Sequence, residues 1–175
     1  MQSSIQVGVN GPVVWVRVAG RGSFLESGGL KEFGREMVKR GYREFIFDLE
    51  ECAMMDSTFM GTMAGMALRL KELGEGGGLH VIHCGTRSHD LLSGLGLDQI
   101  FDIQANGATA PRCEILAQPE EDAAAKKDAV AKQEQASTML EAHEALCEAR
   151  PENLTRFKDV LEYLKQDLQH ESPAK

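Results

Sequence analysis

Asp56, Ser57 and Thr58 stand side by side where an apolar run ends and a helical pattern begins, which makes them the best-placed candidates for chemistry in this chain. Phe45-Ile46-Phe47 leads through a turn into them, and Met60, Met63, Ala64 and Ala67 follow at helical spacing. Two hydroxyls and a carboxylate are therefore predicted at a surface helix N-terminus. Backbone N–H groups there lack intrahelical partners and the helix dipole is positive, so a phosphoryl group would be favoured while Asp56 would repel it. That balance suits a switch. Asp, Ser and Thr are also the preferred N-cap residues, and from the tripeptide alone simple capping is the plainer account.

The elements that must hold this turn can be read from pattern. Val13, Val14, Trp15, Val16 and Val18 form an early strand, and residues 20–29 a turn-rich connection. Leu30, Phe33, Met37 and Val38 fall on one face of a helix that Gly41 ends. A strand at 44–49, apolar on both sides and so predicted to be central, precedes the capped turn, and a helix at 59–73 follows it. A glycine-rich turn then gives way to a strand at 79–84, to a short helix with Leu91, Leu92 and Leu95 that Ser88 caps, and to a last strand with Ile100, Phe101 and Ile103. Alternating strands and helices predict mostly parallel pairing.

The order strand, capped turn, helix, glycine turn, strand, together with Asp56, Ser57, Thr58 and Gly61, resembles the STAS family, the fold of bacterial anti-sigma factor antagonists. In that family the motif reads approximately Asp-Ser-Ser/Thr-Gly-Leu-Gly, and Phe59 and Met60 stand here where Gly and Leu are usual. The resemblance covers about residues 5–117. It implies an α/β protein: a STAS-like mixed β-sheet covered by helices mainly on one side, followed by a C-terminal helical extension. It also implies a non-catalytic signalling protein that binds a kinase-type anti-sigma factor and is switched off by phosphorylation at Ser57, with Thr58 as the alternative acceptor. Asp56, Ser57, Thr58, Phe59 and Met60 would form the partner surface. An anti-sigma factor or serine kinase-like protein is the implied partner, a phosphatase would reverse the mark, and ATP would belong to the kinase. A structural adaptor, in which Ser57 only caps a helix, is the alternative.

The composition bounds these readings. A length of 175 residues suits one domain and an appendage. A net charge of -8 argues against general nucleic-acid or anionic-membrane binding, and no run approaches the roughly 20 apolar residues of a membrane span. With a start that is neither cationic nor apolar, a cytoplasmic protein is expected. Gly20-x-Gly22 lacks the third glycine of a dinucleotide loop, and no Gly-Lys-Ser/Thr follows, so no cofactor is predicted. Cys52, Cys84, Cys113 and Cys147 show no Cys-x-x-Cys spacing. His80 and His83 would point to opposite faces of a strand, so no metal site is predicted. No nucleophile and base stand at informative spacing, which argues against an enzyme.

Beyond Pro111 the character changes. Residues 1–117 are read as the STAS-like domain, 118–135 as an alanine-rich, charged linker or solvated helix, and 136–175 as the helical extension. Met139, Leu140, His143, Leu146 and Cys147 recur at helical spacing, as do Leu154, Phe157, Leu161, Leu164 and Leu168, with Pro151 between them. This seam is too narrow to be stable alone. It must pack on the core, on another copy in a homo-oligomer, or on another protein. His143 on the stripe is expected to be a packing residue.

Overall fold

The computed structural model describes residues 3–74, 76–107, 112–116 and 128–171. Its elements run β1 (Ser4–Asn10), β2 (Val13–Gly22), α1 (Phe24–Lys39), β3 (Glu44–Asp48), β4 (Cys52–Met55), α2 (Ser57–Leu73), β5 (Gly78–Ile82), α3 (Thr86–Gly94), β6 (Asp102–Ile103), β7 (Glu114–Ile115), α4 (Asp128–Ala149) and α5 (Asn153–Glu171). A 3-10 turn, Leu97–Gln99, precedes β6.

The sheet order is β6-β5-β3-β2-β1-β7, and β4 pairs with the end of β2. Strands β2, β3, β5 and β6 are parallel, whereas β1 is antiparallel to both β2 and β7. This is the mixed α/β sheet expected, with β3 central. One face carries the cross-strand row Val7, Val16, Phe47, Val81 and Ile103, and beside it Val9, Val14, Phe45 and Leu79. Val14, Val16, Phe45, Phe47 and Val81 are wholly buried there, because alternation sends every second residue to the face that the helices cover. The other face holds Trp15, Arg17, Ile46, Asp48, His80 and Ile82. Edge strands β6 and β7 lie at opposite ends of the sheet, and residues between them rest on this face, which is helix-free among the described residues. A Cβ at Gly107 would sit 2.6 Å from that of Ile82, and one at Gly8 would sit 2.7 Å from the Arg112 carbonyl oxygen. Trp15 is correspondingly buried.

Several boundaries differ from the sequence reading. Strand β1 goes unread there, although Ile5, Val7 and Val9 alternate before Asn10-Gly11, a hairpin-turn pair. Helix α1 begins at Phe24 inside the expected connection, because Ser23 and Glu26 form a capping box that outweighs Gly28 and Gly29. Helix α2 starts at Ser57, not at 59, and Ser88 lies within α3 instead of capping it. Strand β4 occupies residues read as a turn.

The C-terminal helices form a pair, and they pack on the core. Helix α4 already begins at Asp128, within the span read as linker or solvated helix; residues 117–127 lie outside the described part. Ala145 and Leu146 join the main hydrophobic core. Leu161 and Leu164 are buried and Phe157 is half-buried, but Leu154, expected inside, is 54% exposed. Asn153, 2% exposed, fixes the corner by donating from Nδ2 to the Leu95 and Leu146 carbonyls at 2.9 and 2.8 Å.

Candidate functional site

Asp56 organises the turn. Its Oδ1 accepts from the Phe59 amide at 2.8 Å, as an N-cap should, and its Oδ2 accepts from the Phe24 amide, also at 2.8 Å. Phe24 is the first residue of α1, so one carboxylate ties the N-termini of α1 and α2 together. The Asp56 amide is held in turn by the Gly22 carbonyl at 2.9 Å. Two positive helix ends thus meet beside Ser57, which is half-exposed at the first position of α2.

The neighbouring residues of the motif turn inward. Thr58 is 3% exposed, Phe59 is fully buried and Met60 is 5% exposed. Of the five residues expected to form the partner surface, Asp56 and Ser57 keep partial exposure in this conformation, and Thr58, Phe59 and Met60 are buried. Phe59 lies against β2: a Cβ at Gly22 would come within 2.7 to 3.0 Å of three of its ring carbons. The bulk at the position where the STAS motif has glycine is therefore accommodated by a glycine elsewhere. The exposed apolar side chains on adjacent segments are Phe24, Leu25 and Met54, at 40%, 64% and 37%.

Ser57 has a partner that the sequence did not announce. Its Oγ lies 3.0 Å from Nε2 of His143, on α4. His143 Nδ1 is 2.7 Å from the Met139 carbonyl oxygen, which can only accept, so Nδ1 carries the proton. In the neutral ring Nε2 is then the acceptor and the Ser57 hydroxyl donates to it. His143 is 3% exposed and meets Phe157 edge-on, with ring centroids 5.0 Å apart. The expected packing role is thus joined by a polar one. A hydroxyl bonded to a neutral imidazole resembles an activated nucleophile, but such chemistry needs a substrate cavity over the oxygen. One cleft, of about 750 Å³, lies between α1, α2 and α4 and is lined by residues such as Lys31, Gly65 and Glu141; Ser57 and His143 are not among its lining residues.

The remaining candidates divide on the helix-free face. His83 follows β5 with φ of 52°, and its Nδ1 sits 2.9 Å from Oδ1 of Asp48. Arg17 Nε is 3.5 Å from Oδ2 of the same carboxylate, which is 1% exposed. Asp48, Glu50 and His83 are close enough to share an ion, and Arg17 places a positive charge beside the same carboxylate without a hydrogen bond to it. His80 pairs separately with Asp102 at 3.1 Å, and that hydrogen bond holds the Asp102 carboxyl below its usual range. The two histidines hold separate carboxylates, but not on opposite faces as the strand alternation predicts: the positive φ at His83 ends that alternation and lets its ring reach Asp48, on the face that also carries His80. Burial pushes the Cys52, Cys84, Cys113 and Cys147 thiols upward, so none is an activated nucleophile. Among the described residues no helix is long and apolar enough to cross a membrane.

No family model and no curated protein matches the chain. Solved structures do. A Thermotoga maritima protein assigned as an anti-sigma factor antagonist superposes with a TM-score of 0.52 at 17% identity, over 57% of this chain and 85% of that one. The anti-sigma factor antagonist SpoIIAA in its unphosphorylated form gives 0.50 at 15% identity, over 60% and 90%. At such identities the likeness establishes the STAS-like fold.

Proposed function

We propose that this chain is a non-catalytic signalling protein of the anti-sigma factor antagonist kind, and that it binds a serine kinase-like anti-sigma factor. In this reading phosphorylation of Ser57 switches the complex off, and a phosphatase restores it, in the cytoplasm. The observation that carries the proposal is the Asp56 carboxylate joining two helix N-termini, which leaves Ser57 as the half-exposed hydroxyl of the turn. Phe24, Leu25 and Met54, exposed on adjacent segments, supply apolar area for a partner. In the covalent step Ser57 Oγ would bond to the γ-phosphorus of a nucleoside triphosphate held by the partner. The bond from that phosphorus to the bridging oxygen breaks, the diphosphate leaves, and the hydroxyl proton passes to a base of the partner. The product carries about -1.5 to -2 charges, which desolvation against a partner would penalise.

The adaptor reading draws on the Ser57–His143 hydrogen bond, which gives the hydroxyl a structural task without phosphate. The test is incubation with a candidate kinase and ATP, mapping of the phosphate by mass spectrometry, and partner affinity of Ser57→Asp and Ser57→Ala. Phosphate on Ser57 and at least about tenfold weaker binding by Ser57→Asp, or about 1.4 kcal/mol, are expected. Phosphate on Thr58 alone, or unchanged affinity, refutes the switch.

A further inference from the structure

The α4–α5 hairpin lies on the same helix that carries the candidate phosphoacceptor. Ser57, Gly61 and Gly65 recur every four residues along α2 and form one stripe. Each faces α4: Ser57 bonds to His143, Gly61 is so close to Ala142 that a Cβ would meet its backbone, and a Cβ at Gly65 would lie 3.7 Å from that of Ala145. The rim of this contact is polar. Lys31 and Arg35 of α1 reach Glu141 at 3.2 and 3.4 Å, and Lys31 also reaches Thr138 at 3.2 Å.

We propose that this hairpin is an intramolecular cover over the phosphoacceptor face, latched by the Ser57–His143 hydrogen bond, and that it must lift from α2 before a kinase or other partner can engage Ser57. The proposal rests on the signalling reading above and adds its regulation. The make-up of the contact supports it. Glycine and alanine let two helices approach closely but bury little apolar area, and the ion pairs at the rim are partly exposed and weak. Core strands β3 and β5, by contrast, present fully buried Phe45, Phe47 and Val81. The large side chains the hairpin sets into the main core are Leu146 and the half-buried Phe157, fewer than the sheet contributes, and a unit held this way opens at lower free energy than the strands beneath it. A kinase must place the γ-phosphorus in line with Oγ, and in the closed form His143 occupies that hydroxyl's hydrogen-bond direction.

Two measurements on the full chain decide the matter. In hydrogen–deuterium exchange of the unmodified protein, amides of α4 and α5 should exchange as one unit, at least tenfold faster than those of β3 and β5. Exchange of the hairpin only at the rate of those strands overturns the proposal. In the second, Ser57→Cys is labelled with a polyethylene-glycol maleimide, alone and combined with Ala145→Arg, which wedges α4 from Gly65. Labelling at position 57 should rise at least tenfold with the wedge while β3 and β5 keep their protection. Equal labelling in the two chains, or loss of protection in the strands together with the hairpin, overturns it. Neither readout needs a kinase, so a failure of Ser57 to accept phosphate would sink the signalling reading and leave these results standing.

Discussion

Gly61 and Gly65 offer a matched pair of substitutions in which the same change should act with opposite sign. Replacing a helix-interior glycine by alanine gains about 1 kcal/mol of helix propensity at either site. What differs is what the new methyl group meets. At Gly65 the nearest atom, the Ala145 Cβ, would be 3.7 Å away, an ordinary contact, so Gly65→Ala should stabilise by about 1 kcal/mol. At Gly61 the new Cβ would lie 2.6 Å from the Ala142 carbonyl carbon and 2.8 Å from its Cβ, and α4 backbone cannot rotate aside as a side chain can. Helix α4 would have to retreat by roughly 1 Å, and overpacking of this kind costs about 1–3 kcal/mol. The net effect of Gly61→Ala is therefore between no change and a loss of about 2 kcal/mol, placing the two variants about 1–3 kcal/mol apart. Urea unfolding with linear extrapolation measures both, and exchange of the α4 amides locates the damage. Equal stabilisation by the two substitutions would refute the seating of α4 on Gly61, and with it the geometry of the cover.

Three further outcomes follow from other parts of the molecule. Leu161→Ala and Leu164→Ala should each cost about 2–5 kcal/mol in urea unfolding, whereas Leu154→Ala should stay within about 0.5 kcal/mol; the reverse order would mean that α5 presents a different face. Asp48→Ala strips the buried carboxylate from Arg17 and His83, and since both partners are partly exposed the loss should be about 2–3 kcal/mol; a loss below about 0.5 kcal/mol would show the cluster to be solvated. The Cys52 and Cys84 thiols, raised by burial, should alkylate slowly in the folded chain at neutral pH and faster as pH climbs through their elevated values. A neutral thiol preferred by the fold contributes stability that is complete below its unfolded pKa and is lost as pH rises through the folded one. Because Cys113 and Cys147 are raised as well, a shallower fall in stability from pH 8 to 10 in Cys52→Ser/Cys84→Ser than in the unmodified chain is the expected result, and parallel curves would contradict it.

Much of the sheet could be read in advance because its strands obey period two. Val14, Val16 and Val18, Phe45 and Phe47, Leu79 and Val81 mark a single buried face, and each run is bounded by a turn signal. Apart from β1, whose alternation of Ile5, Val7 and Val9 was legible, what escaped was short or masked by glycine. Strand β4 has four residues, too few for periodicity, and is defined by pairing with Gly20–Gly22, a long-range fact. The start of α1 was hidden because Gly28 and Gly29 argue against a helix, while the capping box that decides the matter is four residues long.

The site divides along the same physical line. Asp56 as N-cap is local chemistry, and its bond to Phe59 follows from spacing. The second bond, to Phe24, joins residues 32 apart, and the partner of Ser57 lies 86 residues away; neither distance leaves a trace in local pattern. One signal did exist. Gly61 and Gly65, together with alanines on α4, are the composition that two closely packed helices require, and the apolar seam of the C-terminal segment needed a surface to cover. Those two features together point to α2 as the docking face, and once α4 is laid there with Ala142 over Gly61, His143 falls beside the first residue of α2. The residue read from sequence as packing and the residue read as a phosphoacceptor then become two ends of one hydrogen bond. A kinase would have to compete for that hydroxyl with the chain's own tail.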